Sequence, residues 1–330
     1  VARFIAIRTL TYLILAFVAT SLAYLLAASL MNPEAVLYPP IATNPVPAET
    51  AQQYLNVRNV NPDTPLFERY ATWLGGLIRG DMGLTTGTDR QLLEVTDVIL
   101  SRVPISLQLV VIGTVIGTVA GVALGMWAAV NRNGIGDRLS TLLAFVVLSL
   151  PTPVIILTVQ QTNEFIGNRS GFKLPAINRV NPLLTEGTWA YTEYQLLALI
   201  MPTIVLALAG AASYSRYMKV TTLDVLGSDY LRTARAKGLT RSQAMRRHGL
   251  RMALIPMGQY FAFAVGSAFT GSLFVELMFN WEGVGRYAIS SIALADVNGT
   301  AGVVLYTAAL TLLSATFADI LQAALDPRIR

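Results

Sequence analysis

The sequence has no cysteine, one histidine and three lysines among its 330 residues. Without cysteine there is no disulfide, no thiolate metal site and no thiol nucleophile. His248 is the sole histidine, which excludes a histidine-rich metal site, and no metal site is expected. None of the three lysines, Lys173, Lys219 and Lys237, completes a G-x-x-x-x-G-K-[ST] phosphate loop, so no nucleotide site of that kind and no catalytic residue is expected. Charge is scarce too. Charged residues make up 13% of the chain, against about a quarter in soluble domains.

What is present is hydrocarbon: 54% of residues are hydrophobic, and the mean hydropathy is +0.54. This predicts an all-α polytopic membrane protein surrounded by lipid. A net charge of +5 raises the question of nucleic acid. The basic residues stand at the ends of apolar runs, however, where membrane orientation accounts for them, and no nucleic-acid partner is expected.

The apolar runs predict six transmembrane helices. Residues 1–31 form the first, behind a short cytoplasmic start carrying Arg3 and Arg8. Residues 32–102 are a polar external segment holding seven of the fifteen prolines. Within it, Thr64 predicts a helix cap, Pro65 a first helical position and Gly80 an end. Phe67, Tyr70, Trp73, Leu74, Leu77 and Ile78 would form the apolar side of that helix, and Glu68, Arg69 and Arg79 the polar side. Residues 103–330 hold five further spans, near 103–130, 139–161, 195–217, 253–279 and 301–324, with a cytoplasmic loop at 218–252. Pro151 and Pro153 interrupt the third, leaving a kink and a path lining as competing readings. Between the fifth and sixth, a short external turn passes through Trp281. Gly113, Gly117, Gly121 and Gly125 repeat every four residues and predict a groove for a neighbouring helix.

With the amino end inside, the cytoplasmic segments hold two basic residues in 1–8, two in 131–138, nine in 216–251 and two in the tail. That is 15 of the 24 lysines and arginines. This favours cytoplasmic termini, since Lys and Arg set orientation.

One long basic stretch stands apart from this pattern. From Ser228 to Pro256 it carries Arg232, Arg235, Lys237, Arg241, Arg246, Arg247 and Arg251 against the single acid Asp229. Ser228 predicts a cap for a helix beginning at Asp229, Gly238 predicts its end, and Thr240 with Gln243 forms a T-x-x-Q capping box for a second helix. Tyr230, Ala234 and Gly238 would share one side of the first helix. A solvated basic face obeying the orientation rule is the bland alternative to a docking surface.

DYLRTARAKGLTRSQAMRRHGLRMALIP resembles the cytoplasmic loop of permease subunits of ABC importers in the dipeptide and oligopeptide branch. Further marks of the resemblance are RGDMG (79–83), RVPISLQL (102–109), LSLPTPV (148–154), VELMFNWEGVGR (275–286) and LDPRIR (325–330). It is nearest to the first of the two permease subunits of oligopeptide importers. The resemblance implies a type I importer permease fold, and it implies a multi-pass protein of a prokaryotic plasma membrane that forms half of a peptide pathway. The implied partners are a second homologous permease subunit, two cytoplasmic ATPase subunits or domains and an external binding protein. The chain itself would carry no cofactor, ATP and Mg being bound by the ATPases. Asp229, Tyr230, Arg232, Thr233, Ala234, Arg235, Lys237, Gly238 and Leu239 would contact an ATPase, and His248 would be structural rather than a pH switch.

For the path, the polar and aromatic candidates are Gln160, Gln161, Tyr260, Phe263, Ser267 and Glu276, each with helix packing as the alternative. Oligosaccharides and nickel complexes remain competing cargoes within the branch. An ion-coupled secondary transporter is the competing class. It normally needs ionisable groups near mid-membrane, which the first four predicted spans lack.

Overall fold

A computed structural model of the chain describes residues 2–37, 46–86 and 92–325. Among these residues the structure is helical throughout, with one isolated β-bridge between Leu84 and Glu94 and no strands. In chain order the helices are α1 (Ala2–Leu30), a 3-10 turn (Pro33–Val36), α2 (Ala48–Val57), α3 (Leu66–Leu77), α4 (Val95–Val130), α5 (Ile135–Ser149) and α6 (Thr152–Ser170). They continue with α7 (Trp189–Gly227), α8 (Asp229–Ala236), α9 (Arg241–Ala244), a π-helical turn (Met245–Gly249), α10 (Leu250–Met278), α11 (Val284–Ala293) and α12 (Val297–Leu325). Among the described residues, α1, α4, α7 and α12 are long and apolar enough to cross a membrane, and α5 with α6 makes a further span if the bent pair is one.

The third apolar run departs most from its expected form. In place of one span over 139–161, α5 and α6 meet at 112°. The cause is local. A residue before proline is pushed out of the helical region, and Leu150 takes φ −86° and ψ 133° ahead of Pro151. Pro151 then starts α6, which runs nine residues beyond the expected end at Gln161 and stops where Gly171 adopts φ +73°. Both α4 and α7 also outrun their apolar cores. At 36 and 39 residues they are about 54 and 58 Å long, well beyond the roughly 30 Å of bilayer hydrocarbon.

The described residues form two compact units. One comprises Ala2–Ser106 with Glu282–Leu313, the other Leu107–Trp281 with the part of α12 from Ser314. In the first unit α1 packs on α3 through Tyr24, whose ring stacks on Trp73 at 4.5 Å and tilts against Tyr70 at 5.9 Å. Leu55, Val60, Val297 and Ala301 complete this core.

Arg69, expected on the polar side of its helix, is buried instead. Its guanidinium donates to the Ala28 carbonyl at 3.4 Å, near the carboxyl end of α1, where unpaired carbonyls and the helix dipole favour a cation. Phe67 and Ile78, expected on the apolar side, are exposed. Thr64 does not cap α3. Its N–H donates to Asn61 O in the preceding turn, and Pro65, in extended conformation, takes the cap position.

The segment between α2 and α4 is tied to the start of α12 by Asn298, whose Nδ2 donates to Arg58 O at 2.9 Å and Leu84 O at 3.0 Å. Beside it, burial pushes the Asp296 carboxyl above the usual range, against the pull of the Gly299 N–H. The turn expected after the fifth span contains α11, which the sequence reading omitted. Its first amide, Val284 N, donates to Ser106 Oγ at 2.8 Å.

The second unit is a bundle of α5, α6, α7, α10 and the larger part of α4. Here the four glycines lie along α7. A Cβ on Gly113 would come 2.6 Å from Leu206 Cβ, one on Gly117 3.0 Å from Ala207 O, and one on Gly121 2.8 Å from Ala211 O. One on Gly125 would overlap Ser215 O. The helices thus touch backbone to backbone, which only the missing side chains permit.

Candidate partner-docking site

The basic stretch begins where α7 stops. Ser228 turns extended, and its Oγ donates to the Val225 carbonyl at 2.6 Å. The expected side-chain cap of α8 is therefore not formed; the hydroxyl satisfies a terminal carbonyl of α7 instead. Asp229 opens α8, where an acid suits the positive helix end. It pairs with Arg232 at 3.4 Å, but both side chains are largely in solvent, so the pair adds little stability.

Beyond Lys237, Gly238 takes φ +93°, a conformation glycine adopts freely, and its N–H donates to Arg235 O. The capping box then closes reciprocally. Thr240 N donates to Gln243 Oε1 at 3.1 Å, and Gln243 N donates to Thr240 Oγ1 at 3.3 Å. The second helix it starts runs without a break through the π-helical turn into α10.

An isolated helix of eight residues is not stable in water. Leu231 is the residue of α8 that is fully buried. It inserts among Tyr214 and Met218 of α7, Ala244 and Met245 of the following turn, and Ala253 and Met257 of α10. Gly249 makes room for it, since a Cβ there would sit 3.1 Å from Leu231 Cδ1. Ala234 and Leu239 are half-buried against the same cluster. Asp229, Tyr230, Arg232, Thr233, Arg235, Lys237 and Gly238 are exposed. Of the nine residues assigned to a partner contact, seven therefore lie on the outer surface and two help to seat the helix.

The path candidates do not form one group. Gln160 donates to Ala176 O at 3.5 Å, and Gln161 is exposed. Tyr260 stacks on Tyr217, with centroids 4.8 Å apart. Phe263 and Ser267 fall on α10, and their side chains lie outside the described residues, as does that of His248. Glu276 is fully buried and accepts from Ser272 Oγ at 3.2 Å, so it offers no surface to a path in this conformation.

Two features escaped the sequence reading. The first is the anchoring role of Leu231, although it is the one aliphatic side chain larger than alanine in DYLRTARA. The second is an ion pair between Lys219 of α7 and Asp137 of α5. Asp137 is buried, and it also accepts the Asn133 N–H at 3.0 Å, while Lys219 reaches Thr141 Oγ1 at 3.1 Å. The pair ties α5 to α7 about two turns before the end that leads into α8. A lysine just past the long apolar run of α7 was its available signal.

Residues 121–330, which include the whole loop, match the family described as the binding-protein-dependent transport system inner membrane component. The chain belongs to this family. Similar proteins include the oligopeptide transport system permease protein OppB of Mycobacterium bovis, 39% identical over 333 residues and covering 99% of each chain. The oligopeptide transport system permease protein AppB of Bacillus subtilis is 30% identical over 285 residues, 84% of each chain. The glutathione transport system permease protein GsiC of Escherichia coli is 33% identical over 273 residues, 81% of each. The permease is accordingly a multi-pass, all-α membrane subunit of an importer.

Proposed function

We propose that the chain is the permease half of an ATP-driven peptide importer. In this reading it crosses a prokaryotic plasma membrane six times with both termini in the cytoplasm. It lines a path together with a second, homologous permease subunit. Peptide arrives from an external binding protein, and two cytoplasmic ATPase subunits or domains bind ATP and Mg and do the hydrolysis. The family and the oligopeptide permease relatives support the importer and its peptide cargo.

The observation that carries the coupling role is the build of α8. A short basic helix is pinned by Leu231 to α7 and α10 and turns Tyr230, Arg232, Thr233, Arg235 and Lys237 outward. Small and basic groups on such a face fit a groove with acidic or carbonyl groups at its rim. Because the anchor contacts both neighbouring long helices, a partner that moves α8 moves them too.

The reading is tested by Arg232→Glu with Arg235→Glu. The doubly reversed protein should insert normally, lose its ATPases on purification in mild detergent and lose ATP-dependent peptide uptake. Retention of the ATPases with normal uptake would show that α8 is not the docking element.

A further inference from the structure

Above the docking loop, α5, α7 and α10 line a shallow, open pocket of about 350 Å³ formed by Leu148, Ser213, Arg216, Tyr217, Val220 and Tyr260. Among the described residues its side-chain donors make no hydrogen bond. Arg216 lies with its guanidinium carbon 4.0 Å above the Phe145 ring. Among the described residues it has no acidic partner, in contrast to Lys219 one turn away, which is taken by Asp137. The Tyr217 and Tyr260 rings stack at 12°, and Tyr260 is braced edge-on by Tyr214 at 5.2 Å. Neither stacked hydroxyl is hydrogen-bonded within the described residues, and both rings are more than a third exposed.

A cation held flat on an aromatic face keeps its N–H edge free for an anion. Tyrosine and serine hydroxyls beside it add donors, and the lining contains no carboxylate to repel one. Leu148 and Val220 supply apolar walls. The volume is at the small end of ligand sites and has room for the end of a peptide rather than the whole of one. Binding of anionic lipid usually draws on clustered cations, and here the second nearby cation is already paired. The ligand chemistry is therefore a single carboxylate carried on a partly apolar body.

We propose that this pocket holds the free carboxyl terminus of a peptide in transit, with Arg216 as the charged contact and Tyr217 and Tyr260 as the flanking platform. The assignment rests on the peptide-import reading above. It adds a specificity element on the membrane subunit itself, on the two helices that the docking loop joins. Movement of that loop would then open or close the site.

The test uses the complete complex, with its binding protein, in proteoliposomes. Initial uptake rates are compared for one labelled peptide with a free carboxyl terminus and for its terminal amide. Because the same binding protein serves every arm, its own preference cancels in the comparison between variants. Arg216→Gln should lower the acid-to-amide rate ratio roughly tenfold, the effect of losing a charge-assisted hydrogen bond. Tyr260→Phe, which keeps the stacked ring and removes one donor, should lower the ratio by about threefold. An unchanged ratio in both variants overturns the proposal. So does an Arg216→Gln defect that disappears in vesicles of neutral phosphatidylcholine, which would assign Arg216 to anionic lipid. Failure of the unmodified complex to take up either peptide would instead sink the peptide-import reading, and the proposed ligand with it.

Discussion

Replacing Leu231 with alanine should uncouple α8 from the bundle without touching the surface it presents. The eight-residue helix has one fully buried residue, and the half-buried Ala234 and Leu239 add less area. Truncating a buried leucine to alanine costs about 2 to 4 kcal/mol, from lost transfer energy and the cavity left behind. The ion pair described for α8 is solvated, and the helix's own hydrogen bonds cannot sustain an isolated helix of this length. The penalty therefore falls on the docked state of the helix more than on the whole fold, shifting that local equilibrium by roughly 30- to 1,000-fold. The assay is amide hydrogen exchange over 229–239, together with the rate of tryptic cleavage after Arg235 and Lys237. Both should rise by about that factor, while exchange in α4 and the body of α7 stays near its original level. Peptide-stimulated ATPase activity of the complex should fall in parallel. Arg235→Ala is the control, because Arg235 is exposed. It removes outward contact area and should weaken ATPase retention with no change in exchange. If Leu231→Ala leaves exchange and cleavage over 229–239 unchanged, the anchoring argument is refuted, whatever happens to transport.

Gly125→Ala should force α4 and α7 apart, since its Cβ would overlap the Ser215 carbonyl and lie 2.8 Å from Met218 Cβ. The expected loss is about 1 to 3 kcal/mol, read as a lower midpoint of thermal unfolding in detergent, whereas Gly227→Ala, with nothing within 4 Å, should leave it unchanged. Lys219→Met would strand the buried Asp137 carboxylate and should destabilise the protein by about 3 to 5 kcal/mol. Adding Asp137→Asn should recover most of that loss in the same assay, and failure of the second substitution to recover any would mean that the pair is not the source. Ser242→Cys should react with membrane-permeant thiol reagents and not with impermeant ones in intact cells; labelling by the latter would invert the proposed orientation.

What the sequence displayed clearly was whatever depends on neighbours along the chain. The capping box at Thr240 and Gln243 and the stop at Gly238 are local hydrogen-bond and φ requirements, and both occur where the residues demand them. The four-residue glycine spacing was also readable, because a helix turns any such repeat into a face. What it concealed depends on partners far along the chain. Arg69 looks like a surface residue until the end of α1 supplies carbonyls for it. Ser228 looks like a cap until the last turn of α7 competes for its hydroxyl. Lys219 and Asp137 are 82 positions apart, and nothing local predicts that they meet. Length was misjudged in the third apolar run for a related reason. Hydropathy measures how much of a segment tolerates lipid and carries no record of direction, whereas Pro151 sets direction.

The placement of these hidden contacts bears on how the loop acts. Coupling requires that displacement at α8 reach helices which have two stable arrangements, and packed interfaces transmit such displacement better than mobile ones. Leu231 connects α8 to α7 and α10, the glycine groove locks α7 to α4, and Lys219 locks α7 to α5. All three connections fall on about the last six turns of α7. This helix runs unbroken for 39 residues, far longer than a span requires, and the excess lies at both ends. In the proposed reading its carboxyl end acts as a lever: one face is held to two helices by a close backbone contact and a largely buried charge pair, and its tip is held to α8 by the cluster around Leu231. Of the three connections, the one through α8 depends on a single fully buried side chain, Leu231, so the lever should fail there first.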